Sequence, residues 1–301
     1  MIDLAMPLRI SAASAVCSFA LLLGAGCQRG ASAPQREVAS TVIRVTGIPD
    51  EQPTELAREY EPLVELLEQR LGAKVEYVPV TDYGAAVQAL VAGKVDFAWL
   101  GGFTHVQART MAKVEPLVMR DIDREFHSVF IANLDSGITQ VSELRGKRFA
   151  FGSKSSTSGH LMPRHFLVSE HGIDPDKDFA GAPVYSGAHD ATIVMVAAGK
   201  VDAGAVNEQV WTRVQAAGEV DLSKVRVIWQ TPAFVDYTWT ARTELPEATR
   251  QAFRQAFLDL DAQDPEHAPI LERLGASAYV PAAPEDFDAI EAIAKTTGLL
   301  E

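Results

Sequence analysis

Ala92-Gly93-Lys94-Val95-Asp96 recurs unchanged as Ala198-Gly199-Lys200-Val201-Asp202. Each copy follows an apolar stretch of helical character (residues 82–91 and 189–198) and leads into an apolar run of strand character (95–100 and 201–206). Tyr83 and His189 lie thirteen residues upstream of the two aspartates, each at the start of the preceding helix. A helix-to-strand connector can recur for its own sake. A connector with a matching upstream offset indicates two units built on one plan, which would aim two helix N-termini at the space between them.

On either side of these copies, strands and helices keep alternating. A strand over 41–45 is followed by a helix over 55–71, with an apolar stripe at Leu56, Tyr60, Leu63, Leu67 and Leu71 and Gly72 as its stop. A strand over 75–80 comes next, and Gly101-Gly102 turns into a helix that runs through Met111. The same grammar restarts after Asp135. A buried strand ends at Phe151, a helix spans 159–171, and Val184-Tyr185 is a short strand. Residues 225–230 form a strand returning toward the first unit, and helices over 246–260 and 284–297 close the chain. The pattern predicts an α/β fold with an open sheet in each unit. The expected lobes are 41–134 plus 237–301 and 135–236, with crossings near Ile131 to Asp135 and Thr231 to Tyr237.

The 301 residues are 47% hydrophobic and 22% charged, enough for two lobes of ordinary size. A formal net charge of -13 excludes nucleic acid and anionic membrane surfaces as partners. Arg9 precedes an apolar run from Ala12 to Leu23 that is shorter than the ~20 residues a membrane span needs. Residues 1–26 therefore read as a signal peptide, for which Met6 is the better start because Asp3 is unusual in such a segment. Leu23-Gly24-Ala25-Gly26-Cys27 resembles a lipobox with Gly24 where Leu is usual, which makes Cys27 the acylated residue. Residues 27–40, rich in Ala, Ser, Gln and Pro, are then a flexible linker to the lipid anchor. The alternative is plain secretion with cleavage near Ala31 or Ala33. Loss of Cys17 with the signal leaves no pair for a disulfide and no cysteine metal site.

Ser153-Lys-Ser-Ser-Thr-Ser-Gly159 stands between the strand ending at Phe151 and the following helix. A helix N-terminus presents unpaired N–H groups and partial positive charge. Hydroxyls at Ser155, Ser156, Thr157 and Ser158 add donors that rotate to suit each oxygen of an anion. Such a cradle needs no net positive charge, which suits an acidic protein. On its own the cluster also fits a plain helix cap. The Gly-x-x-x-x-Gly-Lys spacing of a nucleotide phosphate loop is absent. His160 and His165 are five apart and do not share a helical metal-binding face, so no metal is expected. Trp99 and Trp211 read as core, while Trp239, following Asp236-Tyr237, fits core or cleft.

With these residues in order, the mature chain resembles the binding proteins of phosphonate, phosphite and phosphate ABC importers. The motifs are Thr81-Asp82-Tyr83, Asp96-Phe-Ala-Trp-Leu-Gly101, Phe126-His127-Ser128, Ser156-Thr157-Ser158-Gly159 with Pro163, Ser186-Gly187-Ala188-His189, Gly199-Lys-Val-Asp202, and Thr231-Pro232 with Asp236. The resemblance implies a two-lobed periplasmic binding protein of type II, each lobe an open mixed sheet flanked by helices, with ligand in the interlobe cleft. It implies a monomer without catalysis or cofactor that serves an ABC permease from the periplasmic side. Ser156, Thr157 and Ser158 would hold the anion's oxygens, and Tyr83 and His189 would reach it.

Departures bear on which anion. Phe126 or His127 replaces a ligand-touching Tyr of the family, Glu208 after Asn207 falls near one family carboxylate, and Asp236 matches the other. Ile48-Pro49-Asp50-Glu51, Phe126-His127-Ser128 and Ser186-Gly187-Ala188-His189-Asp190 look closest to a branch described in connection with selenate uptake. Phosphate and phosphonates keep a P–OH proton near neutral pH, which a carboxylate accepts; selenate and sulfate offer acceptors only. A selenate protein should therefore tie Asp236 to His127 or Tyr237 rather than to the anion. The rival classes are a secreted phosphoesterase, for which no Gly-x-Ser-x-Gly elbow is present, and a sensor subunit with the same fold.

Overall fold

The computed structural model describes residues 42–300. The residues expected to form a signal peptide and linker, Cys27 among them, lie outside those described.

In chain order the first part runs β1 (Ile43–Gly47), α1 (Pro53–Leu71), β2 (Val75–Tyr77), α2 (Tyr83–Val91), β3 (Phe97–Leu100), α3 (Gly102–Met111) and β4 (Val114–Arg120). Next come β5 (Ser128–Asn133), β6 (Phe149–Phe151), α4 (Met162–Ser169), β7 (Val184–Tyr185), α5 (His189–Ala197), β8 (Ala203–Asn207), α6 (Glu208–Ala217) and β9 (Val225–Gln230). The chain ends with β10 (Thr238–Arg242), α7 (Glu247–Leu258), α8 (Ala268–Arg273), β11 (Tyr279–Pro281) and α9 (Asp288–Thr296). Gly72 stops α1 as the pattern predicts: at φ +59° it sits in the left-handed region open to glycine, and its N–H returns to Glu68 O at 3.0 Å.

Two mixed sheets result, ordered β11-β4-β10-β3-β1-β2 and β7-β6-β8-β5-β9. Read from β2 and from β7, five strands correspond in position and direction. The first three are parallel to one another, and the fourth is antiparallel to both neighbours. Apolar residues are buried in distinct clusters around each sheet, such as Val45, Phe97 and Phe253 for the first and Phe130, Phe149 and Ala205 for the second.

The repeated pentapeptide does the same work in both. Asp96 Oδ2 accepts the Arg44 N–H at 2.9 Å, and Asp202 Oδ2 accepts the Arg148 N–H at 2.8 Å. Gly93 and Gly199 carry φ values of +67° and +66°, so the turn ahead of each aspartate depends on glycine. The echo is thus both a connector and the mark of a shared plan.

The chain changes sheets earlier than expected. β5 lies between β8 and β9 in the second sheet, so the first crossing falls between Arg120 and Ser128 rather than at 134/135. Every residue of β5 is buried, so it lacks the alternation that would have marked its faces. The second crossing lies between Gln230 and Thr238, which accommodates the expected Thr231 to Tyr237 segment. β9 is the outer strand of the second sheet, and β10 is the strand that returns to the first. The two crossings clasp each other: Phe126 and Phe234 exchange backbone N–H···O bonds of 2.9 Å in both directions.

Candidate functional site

The serine-rich segment begins a wide turn rather than an ordinary helix. Thr157–Leu161 forms a π-helical turn, with the Leu161 N–H reaching back to Ser156 O at 3.0 Å, before α4 starts at Met162. Pro163 explains the geometry. In a regular helix the Gly159 carbonyl would seek the N–H of residue 163, which proline lacks. Gly159 O accepts the Gly152 N–H instead, at 2.9 Å. Ser156 caps the turn, its Oγ accepting the Gly159 N–H at 2.9 Å. Ser156, Thr157 and Ser158 are all buried. A Cβ on Gly159 would come within 2.8 Å of both His189 Cε1 and Ser156 Oγ, so only glycine permits this approach.

The two predicted helix N-termini meet here. Tyr83 and His189 are the first residues of α2 and α5, both buried, with Tyr83 Oη 3.5 Å from His189 Nε2. The Asn207 backbone N–H lies 3.2 Å from His189 Nδ1. A backbone amide can only donate, so Nδ1 must accept and Nε2 carries the proton. Burial pushes the imidazole down to about 3. His189 is therefore a neutral donor aimed into the cluster.

Asp236 enters from the second crossing. Its Oδ1 accepts the Gly102 N–H at 3.0 Å, at the N-terminus of α3, while Thr157 Oγ1 accepts the Phe103 N–H of the same helix at 3.0 Å. Gly101 makes room for both, since a Cβ there would sit 2.9 Å from Thr157 Oγ1 and 3.0 Å from Asp236 Oδ1. Asp236 Oδ2 is buried and has no hydrogen-bond partner among the described residues. Burial pushes this carboxyl up to about 7, opposed by hydrogen bonds from the Thr157 hydroxyl and the Gly102 amide.

Tyr83, Ser156, Thr157, Ser158, His189 and Asp236 thus converge from both sheets and a crossing. Three other candidates lie elsewhere. Ser155 lines a surface depression with Val87, Gln107 and Met111. His127 Nδ1 is 2.7 Å from Thr231 O, and the His127 N–H donates to Glu208 Oε1 at 3.1 Å. Glu208 Oε2 takes the Gln230 amide at 3.2 Å, so His127 and Glu208 brace the crossing. The partners named for Asp236 in a selenate protein are engaged differently, because Tyr237 donates to Asp50 Oδ2 at 2.8 Å. Asn207 Nδ2 donates to the same phenol oxygen at 2.8 Å. Asp50, Asn207 and the Gly102 and Phe103 amides are parts of the cluster that sequence reasoning missed as site residues. The glycine pair beside a strand end was the available signal. Trp239 is core, packed on Phe253 and Phe257, and Trp99 stacks on Tyr237.

Two sheets of one design, joined by two crossings and clasping a buried set of hydroxyl, amide and imidazole donors, define a two-lobed solute-binding protein. The chain belongs to the family described as ABC transporter, phosphonate, periplasmic substrate-binding protein, which it matches over residues 45–287. It is 35% identical over 266 residues to the "Probable ABC transporter phosphite binding protein PhnD1" of Prochlorococcus marinus, across 84% of this chain and 89% of that one. It is 29% identical to the "Phosphate-import protein PhnD" of Mycolicibacterium smegmatis, across 92% and 93% of the two chains. The solved structure of the Prochlorococcus PhnD1 in complex with methylphosphonate is similar with a TM-score of 0.82, at 34% identity over 85% of this chain and 98% of that one. The family consists of substrate-binding transport proteins rather than enzymes, and its place is extracytoplasmic. Among the described residues no helix is long and apolar enough to cross a membrane.

Proposed function

We propose that this protein captures a small phosphorus oxyanion of the phosphonate or phosphite class in the Tyr83–Ser156–Thr157–Ser158–His189–Asp236 cluster and hands it to an ABC permease. The hydroxyls of Tyr83 and the Ser-Thr-Ser triplet, with the His189 Nε2–H, are neutral donors for oxygens that carry charge. Lobe closure around the ligand supplies the form a permease reads. Cys27 is the lipid anchor in this reading, and the protein acts as a monomer.

The observation that carries the ligand class is Asp236 Oδ2, buried and without a hydrogen-bond partner among the described residues. In its ionised form that oxygen accepts a proton, and a P–OH group brings one. Sulfate and selenate bring none, and an ionised carboxylate repels them. The relatives named for phosphite and phosphate, and the methylphosphonate complex, support the same class.

Competitive calorimetry with methylphosphonate, phosphite, phosphate, sulfate and selenate tests the assignment. The expected result is binding of at least one phosphorus oxyanion with sulfate and selenate silent. Tight selenate binding with all three phosphorus anions silent overturns it.

A further inference from the structure

The loop that precedes α1 ties the two lobes together outside the cradle. Three successive residues of the first lobe each find a partner in the second. Asp50 O accepts the His189 N–H at 3.0 Å. The Glu51 carboxylate is ion-paired with Arg213 of α6. The Gln52 N–H donates to Asp190 Oδ2 at 3.1 Å. At the crossing, Tyr237 adds its hydroxyl to Asp50 Oδ2.

Lobe separation breaks the first three ties together, because each has one partner on either side. Glu51 is 9% exposed and Arg213 38% exposed, so this pair is less screened by solvent than an open surface pair. We infer that Asp50-Glu51-Gln52 is a closure latch, with Glu51 and Arg213 as positioning residues that set ligand affinity by holding the lobes shut rather than by touching the anion. The inference rests on the ligand-capture reading above.

The latch has a distinctive signature. When the binding-competent form is only partly populated, apparent affinity scales with its population. A latch defect therefore weakens every ligand by one common factor, whereas a cradle defect changes the ratio between ligands. The test compares Arg213→Ala and the isosteric Glu51→Gln with wild type, using calorimetry with methylphosphonate and phosphite and small-angle scattering of the ligand-free and ligand-saturated protein. Both variants should weaken both anions by about tenfold at an unchanged affinity ratio, and should enlarge the ligand-free protein in scattering. Unchanged affinity in both variants, or a ratio shifted more than about twofold, overturns the latch. If wild type binds neither anion, the ligand assignment fails, and the scattering comparison of ligand-free wild type and Arg213→Ala still decides the latch.

Discussion

Tyr83 Oη and His189 Nε2 lie 3.5 Å apart, although the residues are 106 positions apart in the chain and each opens a helix beside a different sheet. The contact is the meeting point of the two lobes. Because Asn207 occupies Nδ1 with a backbone donor, the histidine offers its Nε2–H to this space as a neutral group.

The first prediction concerns that tautomer. Nitrogen-15 spectra should show His189 protonated at Nε2 only and without titration between pH 5 and 8, given an imidazole pushed down to about 3. His189→Ala should weaken methylphosphonate binding about 10- to 100-fold, and His189→Gln, which keeps a donor, should lose less. A histidine that titrates near 6.5 contradicts the assignment.

A second prediction follows from Asp236, whose carboxyl is pushed up to about 7. A raised folded value means the native state holds a proton that the unfolded chain has released, so stability falls as pH rises from about 4 to 7. Asp236→Asn removes this penalty. The variant should be more stable than wild type at pH 8, by roughly 2–4 kcal/mol and with a higher melting temperature, the difference vanishing toward pH 4. In calorimetry it should lose preference for phosphorus oxyanions over sulfate. Equal melting at pH 8 would count against an unpartnered carboxylate.

The buried histidines act in the opposite direction over part of that range. Burial pushes His105 and His189 to about 3 and His160 to about 4. The unfolded chain binds these protons first, so their contribution is intact above about pH 6.5 and is lost as pH falls below it. In the Asp236→Asn background, where the opposing carboxylate is gone, acidification from pH 7 to 5 should lower the melting temperature, and His105→Gln should reduce the slope. A flat profile would contradict neutral buried imidazoles.

Gly159→Ala tests the close approach behind the cradle. The added methyl would lie 2.8 Å from His189 Cε1 and from Ser156 Oγ. Overpacking of this kind costs about 1–3 kcal/mol and should displace the imidazole, so both melting temperature and anion affinity should fall. Ser155→Ala, on the outer depression, should leave affinity within about twofold.

Lipid anchoring is testable on the whole chain. Cys27→Ser should move the protein from the membrane fraction to the soluble extracytoplasmic fraction. Identical fractionation of variant and wild type would favour plain secretion.

Local sequence was enough to read the alternation of strands and helices, the stop at Gly72, the repeated Ala-Gly-Lys-Val-Asp connector and the pairing of Tyr83 with His189. It also placed the Ser-Thr-Ser triplet at the head of a helix. These are local matters: hydrophobic period, glycine conformation and the offset between two copies of one unit. Tertiary structure alone decided which sheet receives β5, since a strand buried on both faces has no alternation to read. It also drew Asp50 and the Gly102 and Phe103 amides into the cluster beside Asp236, while leaving Ser155, His127 and Glu208 outside. Those outcomes depend on which side chains face inward once two crossings bring distant segments together, and no local periodicity encodes that.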